Sequence, residues 1–365
     1  MRENKVVYGL IGYGGMGRWH TEILSNVPEA VIGGIYDIKE EKREEAKAKG
    51  FSVYETEEAM LADSDIDVVL IATPNDCHKP IAIRAMHAGK NVISEKPVTL
   101  SSADLLEMEK VAKETGKLFT VHQNRRWDDD FLIIRKLVEE QKLGHVFRIE
   151  SRVHGSRGIP GDWRKEKIHG GGMVLDWGVH LLDQILYLYG DRKIETVYAS
   201  LTHITNQEVD DGFTTILTFE GGTEVLVEVG TNNYISLPRW YVLGEDGTAV
   251  IRDWQLNGEI IRKTGITEEK VVPVKTAAGL TKTMAPRRED TIVKEELPHV
   301  SGDIADFHRN VAAVIRDGAE PEIKLFQVMR VMKLMEAIFQ SAETNQVIDC
   351  LLYTSPSPRD KRQSR

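Results

Sequence analysis

On its sequence the chain is an α/β protein in two parts, with a parallel sheet first and a mostly antiparallel sheet after it. Two rhythms predict this. Over residues 1–125 the apolar runs VVYGLIG, AVIGGIYD, DVVLIATP, NVISEKP and LFTVHQN alternate with helical patterns such as EEKREEAKAKG, IAIRAMHAGK and SADLLEMEKVAKETGK. Such alternation marks βαβ units around a parallel sheet. Beyond residue 190 the runs TVYASLTHI, GFTTILTFEG, TEVLVEVG, RWYVLGEDG and TAVIRDW follow one another without intervening helices, as antiparallel strands do. With 365 residues, 41% apolar and 28% charged, the chain can bury the cores of two domains.

The elements carry their own punctuation. Ser101 and Ser102 stand where one helix begins, and Gly89 and Gly116 where two others end, residue types that cap free N–H groups or adopt the left-handed turn. MVLDWGVHLLDQILYLY, residues 173–189, holds no Lys, Arg or Glu, which predicts a helix buried on most faces. Helical patterns return at IADFHRNVAAVIRDG and FQVMRVMKLMEAIFQSAE, and the turn-rich stretch from 264 to 300 predicts a loop or arm. The terminal CLLYTSPSPRDKRQSR breaks the composition abruptly and is similar to a translated transposase adapter of sequencing libraries. The expected division is therefore a first domain over 1–125, a second over 126–349 and a non-native tail over 350–365.

Composition narrows the function classes. A formal net charge of −10 without basic tracts argues against nucleic acid and anionic membranes as partners. No apolar run reaches the roughly 20 residues of a membrane helix. The N-terminus, MRENKVVYGLIG, passes from a short charged lead into a strand with no secretory pattern, so the expected location is the cytoplasm. Cys77 and Cys350 are too few for a disulfide framework or a cysteine metal site. HExxH, paired CxxC and EF-hand motifs are absent and no metal is expected, while HGGG at 169–172 lacks the GxSxG an esterase needs.

The chemistry begins at Gly12-Tyr13-Gly14-Gly15-Met16-Gly17, between the strand VVYGLI and the helical pattern RWHTEILSNV. In that context the first glycine makes a tight turn, the second admits a pyrophosphate against the backbone, and the third allows close helix packing. The helix N-terminus faces the anion. Asp37, followed by Ile38, closes the next strand 20 residues past Gly17, where a carboxylate accepts from an adenosine ribose and repels a 2′-phosphate. The first domain is thus expected to be a Rossmann domain for NAD, with NADP less favoured. Lys39, Lys42 and Arg43 read as a solvated helix face.

Ala72, Thr73, Pro74, Asn75 and His78 close DVVLIATP at the carboxyl edge of the sheet, where open α/β sheets bind ligands. They are expected to line the cofactor; the plainer alternative is a turn with His78 at a helix start. Cys77 reads as packing. Lys96 ends NVISEKP on the same edge, so its ammonium is directed to the nicotinamide half, and Pro97 restricts its backbone. A lysine so confined supplies positive charge, or a lowered pKa, at an oxygen that gains or loses a proton; its plainer role is a surface pair with Glu95. Within 173–189, Asp176, His180, Asp183, Gln184 and Tyr187 form one stripe, expected to face a polar cavity. His180 is the natural proton acceptor near neutral pH, with Asp176 one turn earlier. Spacing alone equally allows a core histidine satisfied by a carboxylate.

GxGxxG, then EKP, then DxGxH resembles the motif order of the Gfo/Idh/MocA family of glucose-fructose oxidoreductase and inositol dehydrogenase, from Lys5 to about Ile348. The resemblance implies a Rossmann domain followed by an α/β domain whose open, mostly antiparallel sheet supports the active site and often an oligomer interface, here a homodimer or homotetramer. It implies Lys96 as the residue holding the reacting hydroxyl and Asp176 and His180 as the acid/base pair. GDWRKEK at 161–167 resembles the family's WR segment. On this reading Glu95, Lys96, Asn124, Trp163 and Arg164 join the cofactor contacts, and Lys96, Asn124, Trp163, Asp176 and His180 the substrate contacts. HQNRRWDDDF looks like the branch of scyllo-inositol dehydrogenases and related sugar oxidoreductases, some of which use NADP. The implied reaction moves a hydride between NAD and a secondary hydroxyl of a sugar, glycoside or inositol. Arg164, Asp183, Gln184 and Asn124 are expected to serve ring hydroxyls, and Trp163 and Trp177 to offer stacking faces. A redox-neutral NAD-dependent glycosidase and a non-catalytic NAD-binding regulator are the alternatives.

Overall fold

The computed structural model describes residues 4–267 and 271–349. The 350–365 segment, with Cys350 and the adapter-like reading, lies outside the described residues.

The first half alternates as its sequence does. It runs β1 (Val6–Ile11), α1 (Gly15–Leu24), β2 (Ala30–Tyr36), α2 (Glu40–Ala48), α3 (Glu57–Ala62), β3 (Val68–Ile71), α4 (His78–His87), β4 (Asn91–Ser94), α5 (Ser102–Thr115) and β5 (Phe119–Val121). The strands pair in parallel in the order β2-β1-β3-β4-β5. Every residue of β1 and β3 is buried, as helices on both faces require. Ser101 accepts the Asp104 amide at 3.1 Å to start α5, and Gly116 ends it at φ +65°. The chain leaves β1 towards β2 on one side, and β3 lies on the other. That reversal opens a crevice at the carboxyl ends of β1 and β3.

The second half adds α6 (Asp129–Glu139), β6 (Val146–His154), a π turn (Val174–Gly178), α7 (Val179–Tyr189), β7 (Ile194–Thr202), β8 (Gly212–Phe219), β9 (Glu224–Gly230), β10 (Trp240–Gly244), β11 (Gly247–Ile251) and β12 (Gly258–Lys263). It closes with β13 (Val274–Thr276), β14 (Gly279–Thr281), β15 (Ile292–Glu295), α8 (Ala305–Asp317), α9 (Leu325–Thr344) and β16 (Ile348–Asp349). Nine strands form one sheet in the order β15-β12-β11-β10-β6-β9-β8-β7-β16. All neighbours are antiparallel except β6 and β9. Val197, Leu217, Val225 and Ile149 make a buried cross-strand row, and α9 packs against β7 on that part of the sheet.

Three features depart from the sequence reading. The 264–300 stretch is not only a loop: it holds the β13–β14 hairpin, and β15 lengthens the sheet by pairing with β12. The helix expected over 173–189 opens with the π turn Val174–Gly178, which shifts the register of its side chains. Finally, α8 comes from the far end of the chain yet packs on α1, β1 and β2. His308 on α8 meets Tyr8 of β1 with ring centroids 5.6 Å apart.

Candidate active site

The nucleotide side of the crevice is built from backbone. Gly12 has φ +97°, and a Cβ there would meet the Ala72 carbonyl at 2.5 Å. A Cβ on Gly17 would meet the Gly12 carbonyl at 2.1 Å, so only glycine lets α1 sit this close to the loop. On Gly14 or Gly15 a Cβ would meet nothing within 4 Å. The loop is therefore closed towards the protein and open outward, a cradle at a helix N-terminus that fits a pyrophosphate. Asp37 follows β2, its Oδ2 accepting the Tyr13 amide at 2.7 Å and its Oδ1 the Lys39 amide at 2.9 Å. Each oxygen keeps a lone pair for a ribose hydroxyl. Ile38 beside it is exposed and Met16 half-buried, whereas the Tyr13 ring is buried against Phe51, so Tyr13 brings its main chain to the loop.

Ala72, Thr73 and Pro74 stand half-buried past β3. Asn75 and His78 turn inward. Asn75 donates to the Gly170 carbonyl at 2.9 Å, and the His78 ring lies fully buried with its nitrogens 3.0 Å from the Thr73 and Pro97 carbonyls. The His78 ring thus braces the crevice wall instead of lining it, because both nitrogens face main-chain carbonyls, to one of which the neutral ring donates.

Opposite the cradle the site is made of charge. Lys96 follows β4, before a cis peptide to Pro97. Its Nζ donates to the Asp176 main-chain carbonyl at 2.9 Å and reaches Asp176 Oδ1 at 3.3 Å. Arg164 Nε reaches the same Oδ1 at 3.3 Å, its guanidinium 4.6 Å above the Trp163 ring. Burial alone would raise the Asp176 carboxyl, but the two cations outweigh it and hold it below the usual carboxylate range. His180, one turn further, is buried, and burial, with Lys96 and Arg125 adding to it, drives its pKa well below the ordinary histidine value. It is neutral at pH 7 with an unpartnered Nδ1, the state of a proton acceptor.

The stripe on 173–189 splits. Asp183 is locked in a buried bidentate pair with Arg126, both bonds 2.7 Å, and Tyr187 donates to Glu322 at 3.1 Å. The expectation that Asp183 serves a ring hydroxyl is corrected on that ground. Asp176 keeps its ion pairs with Lys96 and Arg164, while His180 Nδ1 and Gln184 Oε1 are buried without a partner.

Glu95 points the other way from Lys96. It is buried and accepts from His20 Nε2 at 2.7 Å and His122 Nδ1 at 2.9 Å; His20 Nδ1 lies 3.4 Å from His308 Nε2, and His308 Nδ1 3.4 Å from Tyr8 Oη. With His20 and His308 neutral, one set of tautomers carries the hydrogen bonds from Tyr8 to Glu95, the anion at the end. The expected cofactor contact of Glu95 is corrected, since its carboxylate is committed to this cluster and to the Lys96 amide at 3.2 Å. The ligand atoms of His20, His122 and His308 lie within 4.8 Å of one another, a spacing that hydrogen bonding already accounts for.

The comparisons with known proteins give the family and the fold. Residues 6–123 match the model of an oxidoreductase family with an NAD-binding Rossmann fold, and residues 131–250 match the GFO/IDH/MocA C-terminal domain. The chain belongs to the GFO/IDH/MocA family. A solved NAD-binding protein from Listeria innocua is 50% identical, with a TM-score of 0.91 over 95% of this chain and 99% of that one. The scyllo-inositol 2-dehydrogenase (NADP(+)) IolW of Bacillus subtilis is 27% identical over 93% of this chain and 94% of its own. The myo-inositol 2-dehydrogenase of Thermotoga maritima is 30% identical over 59% of this chain and 65% of its own. As a GFO/IDH/MocA member the protein is an NAD(P)-dependent dehydrogenase, and its first sheet is the NAD-binding fold. Among the described residues no helix is long and apolar enough to cross a membrane.

Two further parts of the site carried no signal in a linear reading. Asp210, between β7 and β8, accepts the Met173 and Val174 amides at 2.8 Å each and fixes the start of the π turn; burial pushes its carboxyl up to about 6. Arg125 and Trp254 meet over Trp177 at the rim. Trp254 sits in a hairpin turn that no motif marks.

Proposed function

We propose that the protein oxidises a secondary hydroxyl of a sugar, glycoside or inositol and passes the hydride to NAD. One observation carries the reading: Lys96 and Arg164 converge on Asp176 beside a neutral His180, at the sheet edge where the nicotinamide of a bound dinucleotide would lie. The nicotinamide, when bound, takes the hydride. Lys96 holds the reacting oxygen and stabilises the charge that develops on it. His180 accepts the hydroxyl proton, a contribution of about 10²–10⁴ in rate. Asp176 keeps Lys96 aimed into the cleft. Asn124 and Trp163 complete the substrate walls. The inositol dehydrogenases among the relatives support a cyclic polyol, and Asp37 supports NAD over the NADP that IolW's name carries.

A panel of inositols, hexoses and glucosides with NAD tests this by the absorbance of reduced nicotinamide. Net reduction with a cyclic polyol is expected. Aglycone release without net reduction would instead make the protein a glycosidase, and binding without turnover a regulator. A homodimer or homotetramer built on the open sheet face is part of the proposal, supported by Tyr198 paired with Ile216, both exposed there; light scattering reads it. Dependence on a nicotinamide pool supports a cytoplasmic setting.

A further inference from the structure

The triple glycine at 170–172, which has no esterase partner, stands where the charged wall is assembled. A Cβ on Gly171 would meet the Arg164 carbonyl at 2.3 Å, and one on Gly172 the Asp210 carboxylate at 2.3 Å. Gly172 also has φ +100°, a conformation that side chains disfavour. The turn therefore admits two other stretches of chain at contact distance, one carrying Arg164 and one carrying Asp210.

The helical segment that follows begins without a cap of its own, since neither Met173 nor Gly178 supplies a side-chain hydrogen bond at its start. Free N–H groups at a buried helix start need a partner. Asp210, buried and 37 residues further on, meets them from outside: its Oδ2 accepts the Met173 and Val174 amides, and its main-chain carbonyl accepts Met173 at 3.1 Å. From this capped turn the main chain reaches both cations of the site. The Gly172 amide donates to the Arg164 carbonyl at 3.1 Å, and the Asp176 amide donates to the Gly172 carbonyl at 3.0 Å. A π turn shifts carbonyls out of the α-helical pattern, and Lys96 Nζ takes the one at Asp176.

We infer that Asp210 is a positioning residue of the dehydrogenase reaction: by capping the π turn from outside, it sets Asp176 and, through Asp176 and the glycine turn, Lys96 and Arg164. It acts through these cations and not on the substrate. Lys96 Nζ and Arg164 Nε share Asp176 Oδ1, each at 3.3 Å, which is already beyond the usual length of such a bond. A small displacement of the turn therefore frees one cation or both. The inference rests on the proposed role of Lys96 and adds the residue that aims it.

The test compares Asp210→Ala, which removes the cap, with Asp210→Asn, which keeps an acceptor oxygen. It is run at pH 8, where the Asp210 carboxyl, pushed up to about 6 by burial, is ionised. With the polyol that turns over best, Asp210→Ala should lower kcat by about 10²-fold, the cost of a misplacement of about 1 Å. KM for NAD and Kd for NADH should stay within a few-fold, and Asp210→Asn should recover most of the loss. In a Lys96→Met chain the same Ala substitution should cost little more, since residues acting as a unit fail together. Lys96 is also followed without turnover: its labelling by trinitrobenzenesulfonate, measured by peptide mass spectrometry, should rise several-fold in Asp210→Ala and return towards wild type in Asp210→Asn. If Asp210→Ala does not fold, Gly172→Ala, whose Cβ would press on Asp210, takes its place with the same expectations. A lower urea midpoint with kcat and Lys96 labelling unchanged makes Asp210 a stabilising cap only and overturns the inference, as does a loss that multiplies in full with that of Lys96→Met. Full turnover in Lys96→Met overturns the role of Lys96 and the inference with it. Absence of turnover with every polyol overturns the proposed function, and the labelling then tells whether Asp210 sets Lys96.

Discussion

Gly12–Gly17 and the segment from Val174 to Gln184 shape opposite walls of one crevice, the first with main chain and the second with charge. The glycine loop needs no particular side chain, only the absence of Cβ at Gly12 and Gly17. The other wall depends on side chains from three stretches of chain: Lys96, Arg164 and the pair Asp176 and His180 are brought within reach of one another only by the fold. The first wall can hold the same dinucleotide in any protein of this fold. The second can be re-cut for another substrate without disturbing the first, and its failures should be of a different kind.

The sharpest break between the walls is expected from Lys96→Met and His180→Asn. Each should lower kcat by about 10²–10⁴-fold, while Kd for NADH, read by fluorescence titration, stays within a few-fold. Made together, they should cost less than the product of the two, because both act on one proton transfer. A matching loss of NADH affinity would move these residues to the nucleotide wall.

A second substitution tests structure without chemistry. Arg126→Ala leaves the Asp183 carboxylate buried and unpaired beneath the charged wall. A loss of about 3–5 kcal/mol in urea unfolding is expected. Replacing Asp183 by Asn in the same chain should restore part of it. A change below 1 kcal/mol would mean that water reaches the pair.

The difference between the walls also explains what could be read in advance. The glycine loop and Asp37 obey local rules of spacing, and so they stood out in the sequence. Lys96 stood out by its place at the end of a strand run, and Asp176 and His180 by their stripe, but their joint roles came from the motif resemblance, because nothing in their spacing says which faces meet. Asp183 and Tyr187 were misplaced since their partners, Arg126 and Glu322, are set by tertiary packing and the stripe is broken by the π turn. Gln123, buried with both amide atoms unpartnered, Arg125 and Trp254 were missed for a similar reason: a tryptophan in a hairpin turn reads as ordinary surface until Arg125 is seen to share it with Trp177. The return of α8 to the first sheet left no trace in the periodicity, so the His20–Glu95–His122 cluster was invisible too.

On the nucleotide wall a smaller effect is expected from Asp37→Ser. It removes a repulsive charge and a ribose acceptor while weakening the hold on the Tyr13 and Lys39 amides. The ratio of kcat/KM with NADP to that with NAD should rise by about 10- to 100-fold, the worth of a charged hydrogen bond. A wild type that already prefers NADP would undo the assignment of Asp37.

The gentlest effect reaches both walls at once through protons. His20, His78, His180 and His308 are all buried, and burial, the largest cause in each case, lowers their pKa values below 6.5. In the unfolded chain they titrate near 6.5, so below that pH the unfolded state binds protons the folded state refuses. Stability should be full above 6.5 and fall as the pH drops, by about 1.4 kcal/mol per pH unit for each such histidine. Asp210 opposes one of them, because its raised pKa of about 6 lets the folded state take up a proton first as the pH falls. Glu95, held low by the hydrogen bonds it accepts from His20 and His122, and Asp176, held low by Lys96 and Arg164, add to the loss only once the pH reaches the range of ordinary carboxylates. Urea midpoints measured from pH 8 to pH 5 should therefore be flat at first and then decline from about 6.5. In a His308→Phe chain the decline should be shallower. A midpoint that rises between pH 6.5 and 5 would mean these histidines are charged in the folded protein, and the neutral His180 on which the catalytic reading depends would go with them.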